Sequence, residues 1–437
     1  MKILISSNSP LVPSGYAIQC FELLKVLKKL GHKVSILSWN TVLSDKKEER
    51  YHSVDYEKYI EIINNNITTI TKEHDEICKD VRFYGCFNDK FPSIIDPNDI
   101  NKIIIQDKFD IFIHLLDIWI IDDKINKFAC KSFAWIPFHF VPIEKKTLIA
   151  MNMFHSAICL SNFGKNLLSN VDSDKLKNFL IFGNKNGANI IKNIHFIPHF
   201  IDFDYLYSKN TLDKDLLRNT LLKDKINIDD EESQTNTYLI SMIAKNSEES
   251  NRKCFDMNLL AFKKLLDNGC NAYLYLHTSF NGKCNIKTII EYYEIDINRI
   301  IIPDQYQIEM NKYSYNYIMG VYCASDVLLA STCSEGFGLP VLEAQLMGCP
   351  VVTTDCTAMS EYTYNGECAE VLDKRFVYVN DSYWYLPDPN SICKKVEKVL
   401  LRTKIEKANK REYGIKMVKE NFNYDVLTKK WNDVLSL

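Results

Sequence analysis

The stretch that decides the fold is Ser334–Asp355, SEGFGLPVLEAQLMGCPVVTTD. Just before it, Asp326–Ser331 (DVLLAS) is a short apolar run of strand type. Pro340 suits the first helical position, where its missing N–H costs nothing. Leu342, Leu346 and Met347 give an apolar helical face; Gly348 stops the helix and Pro350 blocks its continuation. Val351–Thr354 is a β-branched strand. The spacing predicts a strand, a glycine-bearing loop, a capped helix and a second strand, with the loop at the carboxyl end of a parallel sheet. The chain has only 14 glycines in 437 residues, against a usage of roughly 7% in ordinary proteins. Gly336, Gly338 and Gly348 all fall here, where backbone must turn sharply or approach a ligand. Free N–H groups and the positive end of the helix dipole would face the loop's occupant, and such a place binds phosphate.

Working outward, the N-terminal half opens on a strand (Lys2–Ser6) and a turn (SPLVPSG). A helical stripe through Ala17, Phe21, Leu24 and Leu27 then ends at Gly31. Val34–Leu37 completes a βαβ unit of the doubly wound α/β kind. Further strands are predicted at Ile111–His114, Phe133–Ile136, Ser156–Leu160 and His195–Ile197. The charged, Asn-rich stretch 44–105 reads as an irregular peripheral insertion. The organisation expected is an N-terminal Rossmann-like domain (1–205), a charged helical linker (206–236), a C-terminal domain (237–403) and closing helices (404–437).

Composition bounds the function. At 46% hydrophobic and 12% aromatic, each half can bury a core. A net charge of −3 carries no nucleic-acid footprint, so no nucleic-acid partner is expected. The 14 cysteines contain no C-x-x-C pair, and metal-ligand spacing is absent. Reduced, mostly buried thiols in a cytoplasmic protein, and no metal site, are therefore expected. MKILISS is read as a first strand, not a signal peptide, and no apolar run approaches a membrane span.

The string Glu335-Gly336-Phe337-Gly338-Leu339-Pro340 with Glu343, continued by Gly348-Cys349-Pro350-Val351-Val352, Thr354-Asp355, Thr357-Ala358-Met359 and Glu361, resembles the signature of family 4 glycosyltransferases. These are retaining GT-B enzymes that use nucleotide-sugar donors. Ile197-Pro198-His199-Phe200-Ile201-Asp202 is similar to the family's Ile-Pro-His-Gly-Val-Asp. Cys356 and Ser360 depart from the family's usual Phe and Pro. The resemblance is strong over the C-terminal half and scattered elsewhere. It implies two Rossmann-like, doubly wound domains facing an interdomain cleft, with the last helix crossing back to the N-terminal domain.

It also implies roles for particular residues. Glu335 and the N–H groups around Gly336, Phe337, Gly338 and Leu339 would hold the hexose, and Glu343 the ribose hydroxyls. In the loop Lys245-Asn246-Ser247-Glu248-Glu249-Ser250-Asn251-Arg252-Lys253, Lys253 matches a phosphate-binding Lys. Either Lys245 or Arg252 stands for the family's Arg, and Lys would be no neutral exchange for a bidentate guanidinium. His277 and Thr278 resemble a base-recognition edge, and Gly15 a first loop near the donor phosphates. His139, or else His114, could meet the hexose or guide the acceptor.

Each has a plainer reading. Glu343 could be an acidic residue in a first helical turn, Glu335 an exposed loop charge, His277 a structural hydrogen-bonder, and Ser14–Gly15 a simple helix start. Taken together, the residues imply a retaining, metal-independent hexosyltransferase. Its donor would be a nucleotide-diphosphate sugar, and its acceptor a hydroxyl of a glycan, lipid or protein-linked group. No further cofactor is expected, and peripheral membrane contact is left open. Replacing Glu335 with Ala should nearly abolish transfer with little loss of stability. The alternatives are a GT-B sugar phosphorylase and a non-catalytic nucleotide-sugar-binding protein. A nicotinamide-dependent oxidoreductase is disfavoured, since no G-x-G-x-x-G follows the first strand.

Overall fold

A computed structural model describes the chain except residues 13, 40, 44–50, 64–69, 86–93, 123–124, 126, 172–192, 203–212, 231, 233, 235, 249, 311, 378–381 and 437. Pro13 and Glu249 of the loops quoted above, parts of 44–105 and the start of the charged linker therefore lie outside the described residues. The chain forms two compact units, one chiefly of Met1–Phe200 with Leu427–Leu437, the other of Ile201–Tyr378 with Tyr383–Val426.

The first unit is built on a parallel sheet. Its strands are β1 (Lys2–Ser7), β2 (Lys33–Ser38), β3 (Arg82–Gly85), β4 (Ile111–His114), β5 (Lys131–Ile136), β6 (Ser156–Cys159) and β7 (Asn193–Phe196). Their order is β3-β2-β1-β4-β5-β6-β7, and every pairing is parallel. The near-continuous burial of β1, β2 and β5 is what a sheet covered on both faces requires. Ser14 caps the helix Gly15–Lys29, its hydroxyl accepting the Ala17 N–H at 3.1 Å. Gly31, at φ +78°, ends the turn that follows.

The stretch 44–105 departs from the irregular insertion predicted. Its described residues include helices Tyr56–Ile63, Lys72–Cys78 and Pro97–Asp107, and β3 is the edge strand of the sheet. Charged and Asn-rich composition hid these short elements: β3 offers only Phe83 and Tyr84 between an arginine and a glycine, and charged or polar residues separate the buried positions of the helices. Residues 427–437 supply part of this unit's core: Trp431 lies edge-on to Trp135, ring centres 5.0 Å apart, and both are fully buried. The Gln19 side-chain amide donates to Phe200 O at 2.9 Å and accepts from Phe200 N–H at 2.7 Å.

The second unit contains β8 (Tyr238–Ile243), β9 (Ala272–His277), β10 (Ile300–Ile301), β11 (Val327–Leu329), β12 (Val351–Thr354) and β13 (Glu367–Ala369). They lie in the order β10-β9-β8-β11-β12-β13, again all parallel. A separate two-stranded sheet, β14 (Val371–Val377) with β15 (Ser382–Pro387), follows. Within the charged stretch before β8, Lys214–Leu222 is a helix. Its Leu217, Leu221 and Leu222 pack with Leu239, Tyr273 and Val321, and Arg218 bonds Asp326 at 2.9 Å and the carbonyls of Ala324 and Thr237.

Both sheets reverse direction between their first and fourth strands: between β1 and β4 in one unit, between β8 and β11 in the other. Open parallel sheets bind ligands outside the carboxyl ends of the strands at that reversal. No helix among the described residues is long and apolar enough to cross a membrane.

Candidate active site

The loop after β8 and the loop after β11 meet at the reversal point of the second sheet. Cys333 N–H donates to Arg252 O at 2.9 Å, and the Arg252 guanidinium donates to Ser334 O at 2.8 Å. Arg252 also reaches Glu335 Oε1 at 3.1 Å, while the Lys253 ammonium contacts the same carboxylate oxygen. The side chains of Glu335, Arg252 and Lys253 are only 14, 16 and 22% exposed. Behind them Glu248 takes the other edge of Arg252, with N···O distances from 2.7 to 3.2 Å.

Burial alone would lower the basicity of Arg252 and raise the Glu248 carboxyl. The charges override it in both: Glu335 and Glu248 push Arg252 above its ordinary value, and Arg252 holds Glu248 below the usual carboxylate range. Glu335 is thus no free loop charge; it neutralises two half-buried cations. Removing it leaves them without that partner, so Glu335→Ala should cost stability, contrary to the expectation from sequence.

Lys245 is exposed and makes no ion pair among the described residues, whereas Arg252 presents its guanidinium to Glu335. The structure thus brings Arg252, not Lys245, together with Lys253 and Glu335. Asn246, next along, is buried and is bonded to Ser279 O, Cys284 O and the Cys284 N–H, which pins the loop to its neighbour.

The helix predicted around Pro340 spans Leu339–Leu346. Its cap differs from the expectation. Gly338 occupies the cap position with φ +90° and no side-chain hydrogen bond, a backbone conformation that glycine alone adopts freely. A Cβ there would also lie 2.4 Å from Met359 Cε. Phe337 turns its ring into the core against Tyr362 and Phe422, so only its backbone is offered to a ligand. Gly336 is buried, with Leu339 half-buried beside it.

Glu343 does not lie in the first turn of this helix, as the plainer reading of the sequence had it. It lies one turn further in and is buried. Tyr315 donates to its Oε1 at 2.6 Å, and Tyr322 approaches Oε2 at 3.5 Å. Burial pushes the carboxyl up to about 7, with the two hydroxyls opposing. These tyrosines were not anticipated. Seven residues apart on the helix Tyr315–Ala324, they share a face, and that spacing is the signal that could have found them.

His277 ends β9, its Nδ1 2.8 Å from Tyr275 OH and its ring edge-on to Tyr313; burial lowers it to about 4, so it is neutral near pH 7. Thr278 is buried, and its hydroxyl has no hydrogen-bond partner among the described residues. In the first unit Gly15 is the exposed first residue of its helix. Tyr16 beside it donates to Asp117 at 3.0 Å across the β1–β4 reversal. His114 is fully buried and lowered to about 3 by that burial, as a core histidine would be. His139 is half-buried beyond β5, its ring 4.1 Å from that of Phe140.

Residues 242–400 match the family described as Glycosyl transferases group 1. An uncharacterized glycosyltransferase 335 from Sulfolobus islandicus rod-shaped virus 1 is 32% identical over 75 residues, 17% of this chain; the match spans only 22% of that relative's length. Among solved structures, Anabaena Alr3699/HepE, crystallised with UDP and glucose, is similar over 100% of this chain and 99% of its own, at 14% identity and a TM-score of 0.59. Sucrose-phosphate synthase from Thermosynechococcus elongatus is similar over 100% and 98%, at 12% identity and a TM-score of 0.61. The two parallel-sheet, Rossmann-like units are those of the GT-B fold, and the second carries the match to group 1 glycosyl transferases across the Arg252–Lys253–Glu335 cluster and Glu343.

Proposed function

We propose that the chain is a retaining, metal-independent glycosyltransferase that moves a hexose from a nucleotide-diphosphate sugar to an acceptor hydroxyl. The observation that carries this reading is the meeting of Arg252, Lys253 and Glu335 where the second sheet reverses. Leaving-group charge grows on the diphosphate as the glycosidic bond breaks, and preorganised cations stabilise it there. Arg252 and Lys253 supply that charge. In the resting protein Glu335 holds both; a bound diphosphate competes for them and releases the carboxylate to accept hydrogen bonds from hexose hydroxyls. The backbone at Phe337–Leu339 faces the same sugar, and Glu343 receives the ribose in exchange for the Tyr315 hydroxyl.

His277 and Thr278 border the base, the orphaned Thr278 hydroxyl being the group left to satisfy. In the first unit the candidates are Gly15 for the donor phosphates and His139 for the hexose or the acceptor. The acceptor hydroxyl attacks from the leaving-group face, and the departing phosphate oxygen takes its proton. The acceptor belongs to the glycan, lipid or protein-linked class, in a cytoplasmic setting.

Thermal stability screened against UDP-, GDP- and ADP-sugars tests donor binding, since a ligand raises the melting temperature by mass action. Transfer from the stabilising donor is then followed by product mass and anomeric NMR. Retained configuration with loss of transfer in Glu335→Gln is expected. A donor that binds but is neither transferred nor hydrolysed refutes the enzyme reading, and stabilisation by sugar phosphates alone refutes the nucleotide.

A further inference from the structure

Directly beneath the cation loop lie two sulfur atoms that glycosyl transfer does not use. Cys254 follows Lys253, Cys333 precedes Ser334, and their Sγ atoms are 2.7 Å apart although the residues are 79 apart in sequence. Both side chains are buried, at 0 and 3% exposure. The backbone already fastens the segments together, through Cys333 N–H to Arg252 O and through Asn258, whose amide bonds the carbonyls of Cys254 and Ser331. Every cysteine among the described residues is a free thiol. Cys356 lies close by, its sulfur 3.7 Å from Cys333 O.

We propose that Cys254 and Cys333 are a dithiol–disulfide couple that, when oxidised, covalently joins the Arg252–Lys253 loop to the Ser334–Glu335 segment. The co-reactant is a peroxide. One thiol is oxidised to a sulfenic acid as the peroxide O–O bond breaks, giving water. The second sulfur then displaces the sulfenic hydroxyl, which leaves as a second water with the second thiol's proton. Two thiols and one hydrogen peroxide give one disulfide and two waters. Burial keeps the Cys254 thiol protonated, so the reaction waits on local opening of the loop and answers sustained oxidation rather than a brief pulse. The bond closes a long chain loop and narrows the unfolded ensemble, so the oxidised protein melts higher. This inference stands on the two thiols and does not depend on the glycosyl-transfer reading.

The test uses the whole chain, held with hydrogen peroxide or with dithiothreitol, then denatured, alkylated and mapped by proteolysis and mass spectrometry. A peptide pair joined through Cys254 and Cys333, lighter by two hydrogens, is expected. A melting temperature several degrees above that of the reduced protein should accompany it, and dithiothreitol should reverse both. Cys333→Ser should abolish the link, and Cys356→Ser should keep it. Mapping of the unmutated chain suffices if the variants fold poorly. Alkylation of both Cys254 and Cys333 under conditions that oxidise the partly exposed Cys130 and Cys284, or a link from Cys333 to Cys356 instead, overturns the proposal.

Discussion

The Glu343 carboxyl, buried and raised from 4.5 to about 7, should make the second unit less stable as the pH rises. Between those two values the native state holds a proton that the unfolded chain has already released. Stability therefore falls with increasing pH across that window and levels off above it. At about 1.36 kcal/mol per pH unit the loss amounts to about 3 kcal/mol. Glu343→Gln stays neutral throughout and keeps a carbonyl oxygen for Tyr315. The variant should thus gain on the parent by about 3 kcal/mol between about pH 4.5 and about pH 8.5. Urea midpoints followed by circular dichroism at those two pH values measure it, because titrations common to both proteins cancel in the difference. Tyr315→Phe removes the hydroxyl that favours the ionised carboxylate, so its pH dependence should extend to higher pH. An unchanged difference between parent and Glu343→Gln at the two pH values would refute the buried, proton-bearing carboxyl.

Other substitutions test the remaining arguments. Gly338→Ala places a Cβ at φ +90° against Met359 and should cost about 1–3 kcal/mol in thermal unfolding. Phe337→Ala, which empties a ring site between Tyr362 and Phe422, should cost about 3–5 kcal/mol; a loss below that of Gly338→Ala would contradict the packing. Arg218→Ala leaves Asp326 without its guanidinium and should free the helix Lys214–Leu222, seen as faster hydrogen exchange there with exchange in β12 unchanged.

Much of the fold was legible because parallel strands write themselves as apolar runs. Ile111–His114 and Val351–Thr354 were bounded correctly for that reason. The edge strand Arg82–Gly85 was not, since it offers only Phe83 and Tyr84 between an arginine and a glycine and so writes no apolar run. In the site, the meeting of Lys253 and Glu335 was implied by the resemblance, which aims both at one donor. The choice between Lys245 and Arg252 did not, because it depends on how the loop turns at Asn251 and Cys254, both at positive φ. The Tyr315 and Tyr322 hydroxyls on Glu343 were likewise hidden, because a contact between two consecutive helices shows in the sequence only as the seven-residue spacing of the tyrosines.

The Trp135–Trp431 contact bears on how the chain is made. Residues 427–437 leave the ribosome only after the whole second unit has emerged, so the first unit must wait with one wall of its interior missing. Domains that emerge early commonly fold early; here the later one can finish first. Shortening the chain before Trp431 would therefore injure the half that was synthesised at the start.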